Sequence, residues 1–176
     1  MESKPVKIQI VDYDPQWPTL FQREAEKIHS ALGSRAHAVE HAGSTSVPGL
    51  PAKPIVDIVL TVSNSAEEGE YGPSLQGIGY VLRVREPNWY EHRMLWLENE
   101  VNLHVFSAGC PEINRMLLFR DWLRANPADR DLYARTKLAL AERQWRDVQE
   151  YADAKAHFVN EIVGRALVYA GQMSPS

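Results

Sequence analysis

The segment from Pro54 to Val62, PIVDIVLTV, constrains the fold more than any other part of the chain. Its residues are nearly all apolar and many are β-branched, which predicts a strand buried on both faces. Asp57 is the only charged residue in this segment and, by alternation, shares a face with Val59 and Thr61. A buried carboxylate is costly unless it is paired or bound to a metal. Asp57 is therefore either a satisfied structural carboxylate or part of a functional site.

The patterns on either side of this strand predict an α+β fold. Asp14 and Pro15 give a start signal, and Gly33 a stop signal, for one helix. After Pro111, apolar residues at helical spacing predict three more helices. β-rich or alternating runs predict strands at 6–10, 36–41, 80–85, 93–97 and 101–106, with a short helical turn at 74–78. We expect a mixed sheet with flanking helices, a helical C-terminal part, and a ligand cleft where the two halves meet.

The length and composition narrow the class of protein. A chain of 176 residues, of which 44% are hydrophobic, fits one domain, which we place at 1–171 with a flexible tail at 172–176. A formal charge of −4 gives no strong signal for nucleic-acid binding. The single cysteine, Cys110, excludes an internal disulfide and a cysteine-rich zinc site. With a single cysteine, a reducing cytosol is the simplest setting, so we expect a cytoplasmic location. No stretch approaches about 18 uninterrupted apolar residues, so we expect no membrane span.

A turn of small residues, Gly43-Ser44-Thr45-Ser46, follows a predicted strand. Glycine beside serine and threonine lets backbone N–H groups and hydroxyls face a phosphate, although an ordinary tight turn has the same composition. Prolines at 48, 51 and 54 stiffen the loop that follows. That stiffness would suit a loop that presents Lys53 to an anion, and it would equally suit a structural crossing.

The run from His41 to Ile58, HAGSTSVPGLPAKPIVDI, resembles the signature of the GrpB (UPF0157-type) family, a branch of the nucleotidyltransferase superfamily. The resemblance covers nearly the whole chain. It includes YDPQW at 13–17, NLHV at 102–105, FRDWLR at 119–124, KLALA at 137–141 and YADAK at 151–155. It implies a polymerase-β-like nucleotidyltransferase fold, in which helices flank a mixed sheet.

The resemblance also implies a chemistry. Gly43 and Ser44 match the Gly-Ser pair that holds a triphosphate, and Asp57 matches the first carboxylate that binds Mg²⁺. Val59 stands where the superfamily has a second carboxylate, and His104 lies on the strand that usually supplies a third. The implied function is a magnesium-dependent nucleotidyltransferase-type transferase that uses a nucleotide triphosphate and a small acceptor, with Asp57 and His104 on the metal. The alternative, favoured by Val59, is a catalytically degenerate module that binds a nucleotide or coenzyme A.

Two histidines are candidate acid–base groups or metal ligands. His41 ends the strand before the Gly-Ser turn and is either a site residue or a cap of that turn. His104 alternates with apolar neighbours, so it is either a site residue beside Asp57 or a satisfied buried histidine. The two histidines together would also form an acid–base pair for a different reaction.

Four cationic side chains are candidates for contacts with substrate phosphates. Arg93 begins a strand and is either a phosphate clamp or an exposed hairpin residue. Arg120 lies near the apolar stripe of the first C-terminal helix, where an arginine often reaches an anion or an internal carboxylate. Lys137 and Lys155 are either ligands or lysines whose stems cover apolar surface. The last three, over a cleft floored by Asp57, would form a triphosphate site.

Overall fold

The structure, a computed structural model, describes residues 5–173. One sheet in the order β1-β2-β5-β4-β3 contains the strands β1 (Ala38–Ala42), β2 (Val56–Val62), β3 (Val81–Glu86), β4 (His92–Leu97) and β5 (Val101–Ser107). β2 and β5 run parallel and the other neighbours antiparallel, so the sheet is mixed. The helices within these residues are α1 (Gln16–Leu32), α2 (Gly72–Gln76), α3 (Pro111–Ala125), α4 (Pro127–Ala141) and α5 (Val148–Met173).

The two faces of the sheet have different coverings. On one face, β2 and β5 side chains such as Ile58 and Leu103 pack with α1 and α2 in the main hydrophobic core. On the other face, Val59 and Phe106 pack against α3. Because both faces of the sheet are covered at β2, this strand is apolar on both faces. The part of the second face that carries Asp57 is left open to a cleft beneath α4 and α5.

The predicted α+β class, with a mixed sheet, flanking helices and a helical C-terminal part, is confirmed. α1 begins after Asp14, whose Oδ1 accepts a hydrogen bond from the Gln16 N–H at 2.8 Å. It ends before Gly33, which has the positive φ of 57° that favours glycine. The hairpin between β4 and β5 turns at Asn99. The strand ends differ from the predicted ones by one or two residues.

One prediction about the N-terminal part of the chain needs correction. The run at 6–10 is not an edge strand, because it pairs only through isolated bridges at Val6 and Val11. Its alternation reflects packing of Ile8 against Trp145 and Tyr151 in the helical part. α5 extends to Met173, two residues into the segment predicted as a tail, and residues 174–176 lie outside the described residues. In the described chain, no helix is long and apolar enough to cross a membrane.

Candidate functional site: a lysine-rich cleft over Asp57 and His104

The cleft lies between the sheet face that carries Asp57 and the helices α4 and α5. Its volume is about 520 Å³, within the range of roughly 300–1,000 Å³ that is typical of ligand sites. Its walls include the Gly43–Thr45 turn, Lys53 from the loop, Lys137 from α4 and Lys155 from α5. Most of the residues proposed from the sequence therefore meet in one place.

Gly43 brings the turn directly against Asp57. Its backbone has φ 69° and ψ −174°, a region that is essentially restricted to glycine. A Cβ atom on Gly43 would lie 2.5 Å from Asp57 Oδ2. Glycine is therefore required here for two reasons, the backbone conformation and the close approach of the carboxylate.

Asp57 has a histidine partner across the parallel pair of strands. Val59 lies opposite His104 in the β2–β5 register, so Asp57 and His104 project from the same sheet face. The distance between His104 Nε2 and Asp57 Oδ1 is 3.0 Å. The side chains keep 20% and 32% of their surface exposed, respectively, so both reach the cleft. The predicted position of His104 beside Asp57 is observed.

His104 belongs to a hydrogen-bonded chain of four side chains. His104 Nδ1 lies 3.0 Å from His92 Nε2, and His92 Nδ1 lies 2.6 Å from Glu86 Oε2. Because the carboxylates at the two ends accept from the outer ring nitrogens, one further proton between the rings completes the chain. Burial, and then the charge on His104, lowers the pKa of His92.

Lys137 is a buried lysine that connects α4 to the Gly-Ser turn. It is 2% exposed. Its Nζ donates a hydrogen bond of 2.9 Å to Ser44 Oγ and another to the Pro51 carbonyl, and lies 4.9 Å from the centre of the Tyr133 ring. Burial, and then the nearby charge of Lys155, lowers the pKa of Lys137 to about 7. A large fraction of the molecules therefore has a neutral Lys137 amine near pH 7.

Lys155 and Lys53 add positive charge to the same cleft. Burial lowers the pKa of Lys155, the Asp57 carboxylate raises it, and Lys53 lowers it, so the three charges act on one another. Lys155 Nζ also lies 5.2 Å from the centre of the Tyr151 ring. Among the residues that the structure describes, none of Lys53, Lys137 and Lys155 forms an ion pair with a carboxylate.

Two tyrosines of the cleft wall were missed in the sequence. Tyr133 lies beside Ser44, and its ring centre is 4.9 Å from Lys137 Nζ. Tyr151 is 1% exposed, and within residues 5–173 its hydroxyl has no hydrogen-bond partner. Each tyrosine precedes a cleft lysine by four residues, a spacing that places both side chains on one face of a helix. That repeated Tyr-x-x-x-Lys spacing was the available signal, whereas nothing local marks His92 and Glu86 as partners of His104.

His41 is turned away from the cleft, contrary to its predicted site role. It lies opposite Ile58 in the β1–β2 pair, on the face covered by α1, and its ring stacks on Phe21 with centroids 4.9 Å apart. Burial lowers the pKa of His41 to about 4, so the ring is neutral. Its Nε2 lies 2.9 Å from Thr45 Oγ1. The hypothesis of an acid–base pair with His104 is wrong, because the two rings project from opposite faces of the sheet.

Thr45 and Ser46 support the turn and do not offer their hydroxyls to a ligand. The Thr45 hydroxyl is engaged with His41, and Ser46 Oγ donates a 2.5 Å hydrogen bond to the Gly43 carbonyl. Both side chains belong to buried residues. Of the four residues of this turn, Gly43 and Ser44 are therefore the ones placed to meet a ligand.

Arg93 and Arg120 lie outside the cleft, so the sequence hypothesis is corrected for both. Arg93 Nε donates to Glu68 at 2.7 Å on the opposite face of the sheet, where its cross-strand neighbour Val105 is in the main core. Arg120 Nη1 donates to Glu40 at 2.8 Å and to the His41 carbonyl at 3.1 Å. Helix packing directs Arg120 to the edge strand β1, where it binds the Glu40 carboxylate.

The donors around Asp57 lack the second carboxylate of the superfamily's magnesium site. Val59, in place of a second carboxylate, is 1% exposed and packs beside Phe106. Both ring nitrogens of His104 are already hydrogen-bonded, and Mg²⁺ prefers oxygen ligands in octahedral geometry. Across residues 5–173, no group of three or more His, Cys, Asp or Glu side chains is placed to hold a metal ion. The charge that the cleft offers a ligand comes from its own lysines.

Several known proteins are similar to this chain in sequence or in fold. The family model described as GrpB protein matches residues 7–165. A UPF0157 protein of Halalkalibacterium halodurans is 58% identical over 168 residues, covering 94% of this chain and 86% of that protein. The crystal structure of the conserved protein GrpB from Enterococcus faecalis has a TM-score of 0.79 at 30% identity, covering 92% and 99% of the two chains. A dephospho-CoA kinase of Mycolicibacterium paratuberculosis is 30% identical over 190 residues, covering 93% of this chain and 47% of the kinase.

Proposed function

The chain belongs to the GrpB family, and on this premise we propose that its cleft binds the phosphate chain of a nucleotide. The observation that carries the proposal is the pair of cleft lysines Lys53 and Lys155, neither of which forms an ion pair with a carboxylate in the described part of the chain. A desolvated cation without a counter-charge is costly, and a phosphate in the cleft removes that cost.

The arrangement supports a division of labour within the cleft. Lys155 and Lys53 face the open volume, where their charges would neutralise a pyrophosphate or triphosphate. Ser44 lies at the start of the turn, where its hydroxyl and the backbone beside Gly43 would contact a terminal phosphate. Lys137 stands behind Ser44 and holds it in place. No part of this recognition requires a metal ion.

Two classes of nucleotide are candidates. A nucleoside triphosphate follows from the resemblance to nucleotidyltransferases. A coenzyme-A-like pyrophosphate is supported by the relative named dephospho-CoA kinase, about half of which matches this chain. Both classes present an adjacent pair of phosphates to the lysines, so they share one binding chemistry.

Isothermal titration calorimetry tests the proposal. The protein is titrated with each nucleoside triphosphate, with dephospho-CoA and with coenzyme A, once in EDTA and once in Mg²⁺. We expect at least one ligand to bind in EDTA, with an affinity that falls as salt is raised. If every ligand fails to bind in both buffers, the proposal is wrong.

Lysine variants locate the bound phosphate. In Lys155→Met, loss of a charge-assisted contact worth about 1.5–3 kcal/mol should weaken binding by roughly 10- to 100-fold. Lys7→Met is the matched control, because Lys7 is exposed and does not line this cleft. Equal affinities of the two variants would place the phosphate elsewhere. Thermal unfolding of each variant establishes that it is folded.

Transfer of a nucleotidyl or related phosphoryl group to a small acceptor is a second candidate function. It is favoured by the chain from Asp57 through His104 and His92 to Glu86, which offers a proton acceptor beside the proposed phosphate site. As an acceptor hydroxyl attacks phosphorus, its proton would pass to the Asp57 carboxylate, while the anhydride P–O bond breaks and the leaving phosphate departs with the electron pair. Mass spectrometry of a metabolite pool incubated with each nucleoside triphosphate tests this function. A product that appears with the wild type and is absent with Asp57→Asn supports it. If no new product forms, binding alone remains as the proposed function.

A further inference from the structure

Ser44 and Lys137 form a pair that phosphate binding alone does not explain. Ser44 Oγ lies 2.9 Å from Lys137 Nζ. Ser44 borders the cleft, whereas Lys137 approaches it from the buried side. Tyr133, on the same helix as Lys137, also lies beside this serine. A serine hydroxyl held against a lysine amine is one of the arrangements by which proteins activate an oxygen nucleophile.

The surroundings of Lys137 favour its neutral form. Its charged and titratable neighbours are Lys155 on α5, Tyr133 on its own helix, and Ser44 on the turn, and no carboxylate forms an ion pair with it in the described chain. One amine N–H donates to the Pro51 carbonyl. In the neutral amine, the lone pair is then free to accept the hydrogen of the Ser44 hydroxyl. The pKa of about 7 agrees with this geometry.

The same cleft contains donors for a developing negative charge. Lys155 faces the cavity without an ion-pair partner in the described residues. The Tyr151 hydroxyl is buried in the cleft wall and has no hydrogen-bond partner within residues 5–173. An oxygen that gains charge during attack by Ser44 would therefore find donors that the fold leaves uncommitted.

From this geometry we infer that Ser44 is a nucleophile, that Lys137 is its general base, and that the electrophile is the phosphorus of a phosphoanhydride. Ser44 Oγ attacks phosphorus and forms the new P–O bond while its proton moves to Lys137 Nζ. The anhydride P–O bond breaks, and the leaving phosphate departs with the electron pair and is neutralised by the cleft lysines. The product is a phosphorus ester of Ser44. This inference deepens the proposed function, but the reactivity of Ser44 is measurable without any nucleotide.

A fluorophosphonate probe tests the pair directly. In the expected reaction Ser44 Oγ attacks phosphorus, fluoride leaves, and the proton goes to Lys137, so no unknown substrate is needed. Peptide mass spectrometry should place the label on Ser44. Ser44→Ala should abolish labelling, whereas Ser34→Ala, which changes an exposed serine outside the cleft, should label like the wild type.

Two lysine variants separate a base from a structural support. Lys137→Arg keeps a hydrogen-bond donor and a charge but cannot accept a proton, so labelling should fall at least tenfold. With a base of pKa about 7, the wild-type rate should rise roughly tenfold between about pH 6 and about pH 8. In Lys155→Met a like charge is removed, so the midpoint of that profile should move to higher pH. A lysine that only positions Ser44 would give neither effect.

The outcomes distinguish this inference from the proposed function. Absence of label on Ser44 at every pH, or full labelling of a folded Lys137→Arg, overturns the inference whether or not a nucleotide binds. A pH profile unchanged in Lys155→Met also overturns it and remains decisive if the Lys137 variants do not fold. Labelling of Ser44 without nucleotide binding would support Ser44 as a nucleophile and would refute the proposed nucleotide ligand.

Discussion

Replacement of Gly43 by alanine perturbs the site at its tightest point. The new Cβ would lie 2.5 Å from Asp57 Oδ2, a distance that non-bonded atoms do not tolerate, and 3.2 Å from Asp57 Cβ. The alanine would also occupy φ 69° and ψ −174°. We expect Gly43→Ala to fold with lower stability and with the Asp57 carboxylate displaced from His104.

The loss of unfolding free energy expected in Gly43→Ala has two parts. Holding alanine at a glycine-only backbone conformation costs about 1–3 kcal/mol. Displacing Asp57 from His104 removes a charge-assisted hydrogen bond worth about 1.5–3 kcal/mol, and the lower value applies because both side chains are partly exposed. Gly49→Ala is a control for a positive φ without a steric clash, because Gly49 has φ 81° but nothing within 4 Å of the added Cβ. Gly43→Ala should therefore cost about 1.5 kcal/mol more than Gly49→Ala.

Urea unfolding of the two variants and the wild type measures this difference. An excess of about 1.5 kcal/mol corresponds to a melting temperature lower by roughly 3–6 °C in a chain of this size. Combination with Asp57→Ala provides a double-mutant cycle, in which Gly43→Ala should cost less once the carboxylate oxygen is gone. Equal costs for Gly43→Ala and Gly49→Ala, or no coupling to position 57, would refute the reasoning.

Three further predictions follow from groups whose position the structure defines. The pKa of Lys137 is about 7 in the folded protein and ordinarily 10.5, so between these pH values the unfolded chain binds more protons than the folded one. The free energy of unfolding of the wild type should therefore rise with pH in this window relative to that of Lys137→Met. Parallel pH dependences of the two proteins in urea unfolding would refute the lowered pKa. The pKa of His41 is lowered from 6.5 to about 4, so the stability of the wild type should fall as the pH is lowered from about 6.5 to about 4. His41→Gln should lack this loss, and thermal unfolding across the same pH range measures it. Arg120→Met should destabilise the fold by about 1.5–3 kcal/mol through loss of its bonds to Glu40 and the His41 carbonyl, yet leave nucleotide affinity in calorimetry unchanged; weaker binding would place Arg120 in the site.

The strands were predictable because their signal is local. The β-branched run around Asp57 is typical of a strand that is buried on both faces, and alternation along the strand determines which residues share a face with Asp57. The position of His104 beside Asp57 followed once the two strands were taken as neighbours, and the structure pairs them in parallel. The glycine in the turn was also recognisable, although its contact with Asp57 was not.

The errors came from side chains whose face is set by a partner distant in sequence. His41 and Ala42 are adjacent in β1, and only the antiparallel register with β2 decides that His41 faces α1. Arg93 looked like an exposed hairpin residue or a phosphate clamp, but it is buried because Glu68 from another loop accepts its hydrogen bonds. No periodicity within a strand or helix carries this information.

The sequence by itself determined the elements, the α+β class and the membership of Gly43, Ser44 and Asp57 in one site, because these depend on local propensity, alternation and a contiguous motif. The tertiary structure decided the chemistry of that site. Packing of α4 against the turn buries Lys137 beside Ser44, and the pairing of β3, β4 and β5 links Glu86, His92 and His104 into one hydrogen-bonded chain. Burial and charge–charge distance set the pKa of each group, and both exist only once segments far apart in the chain have packed together.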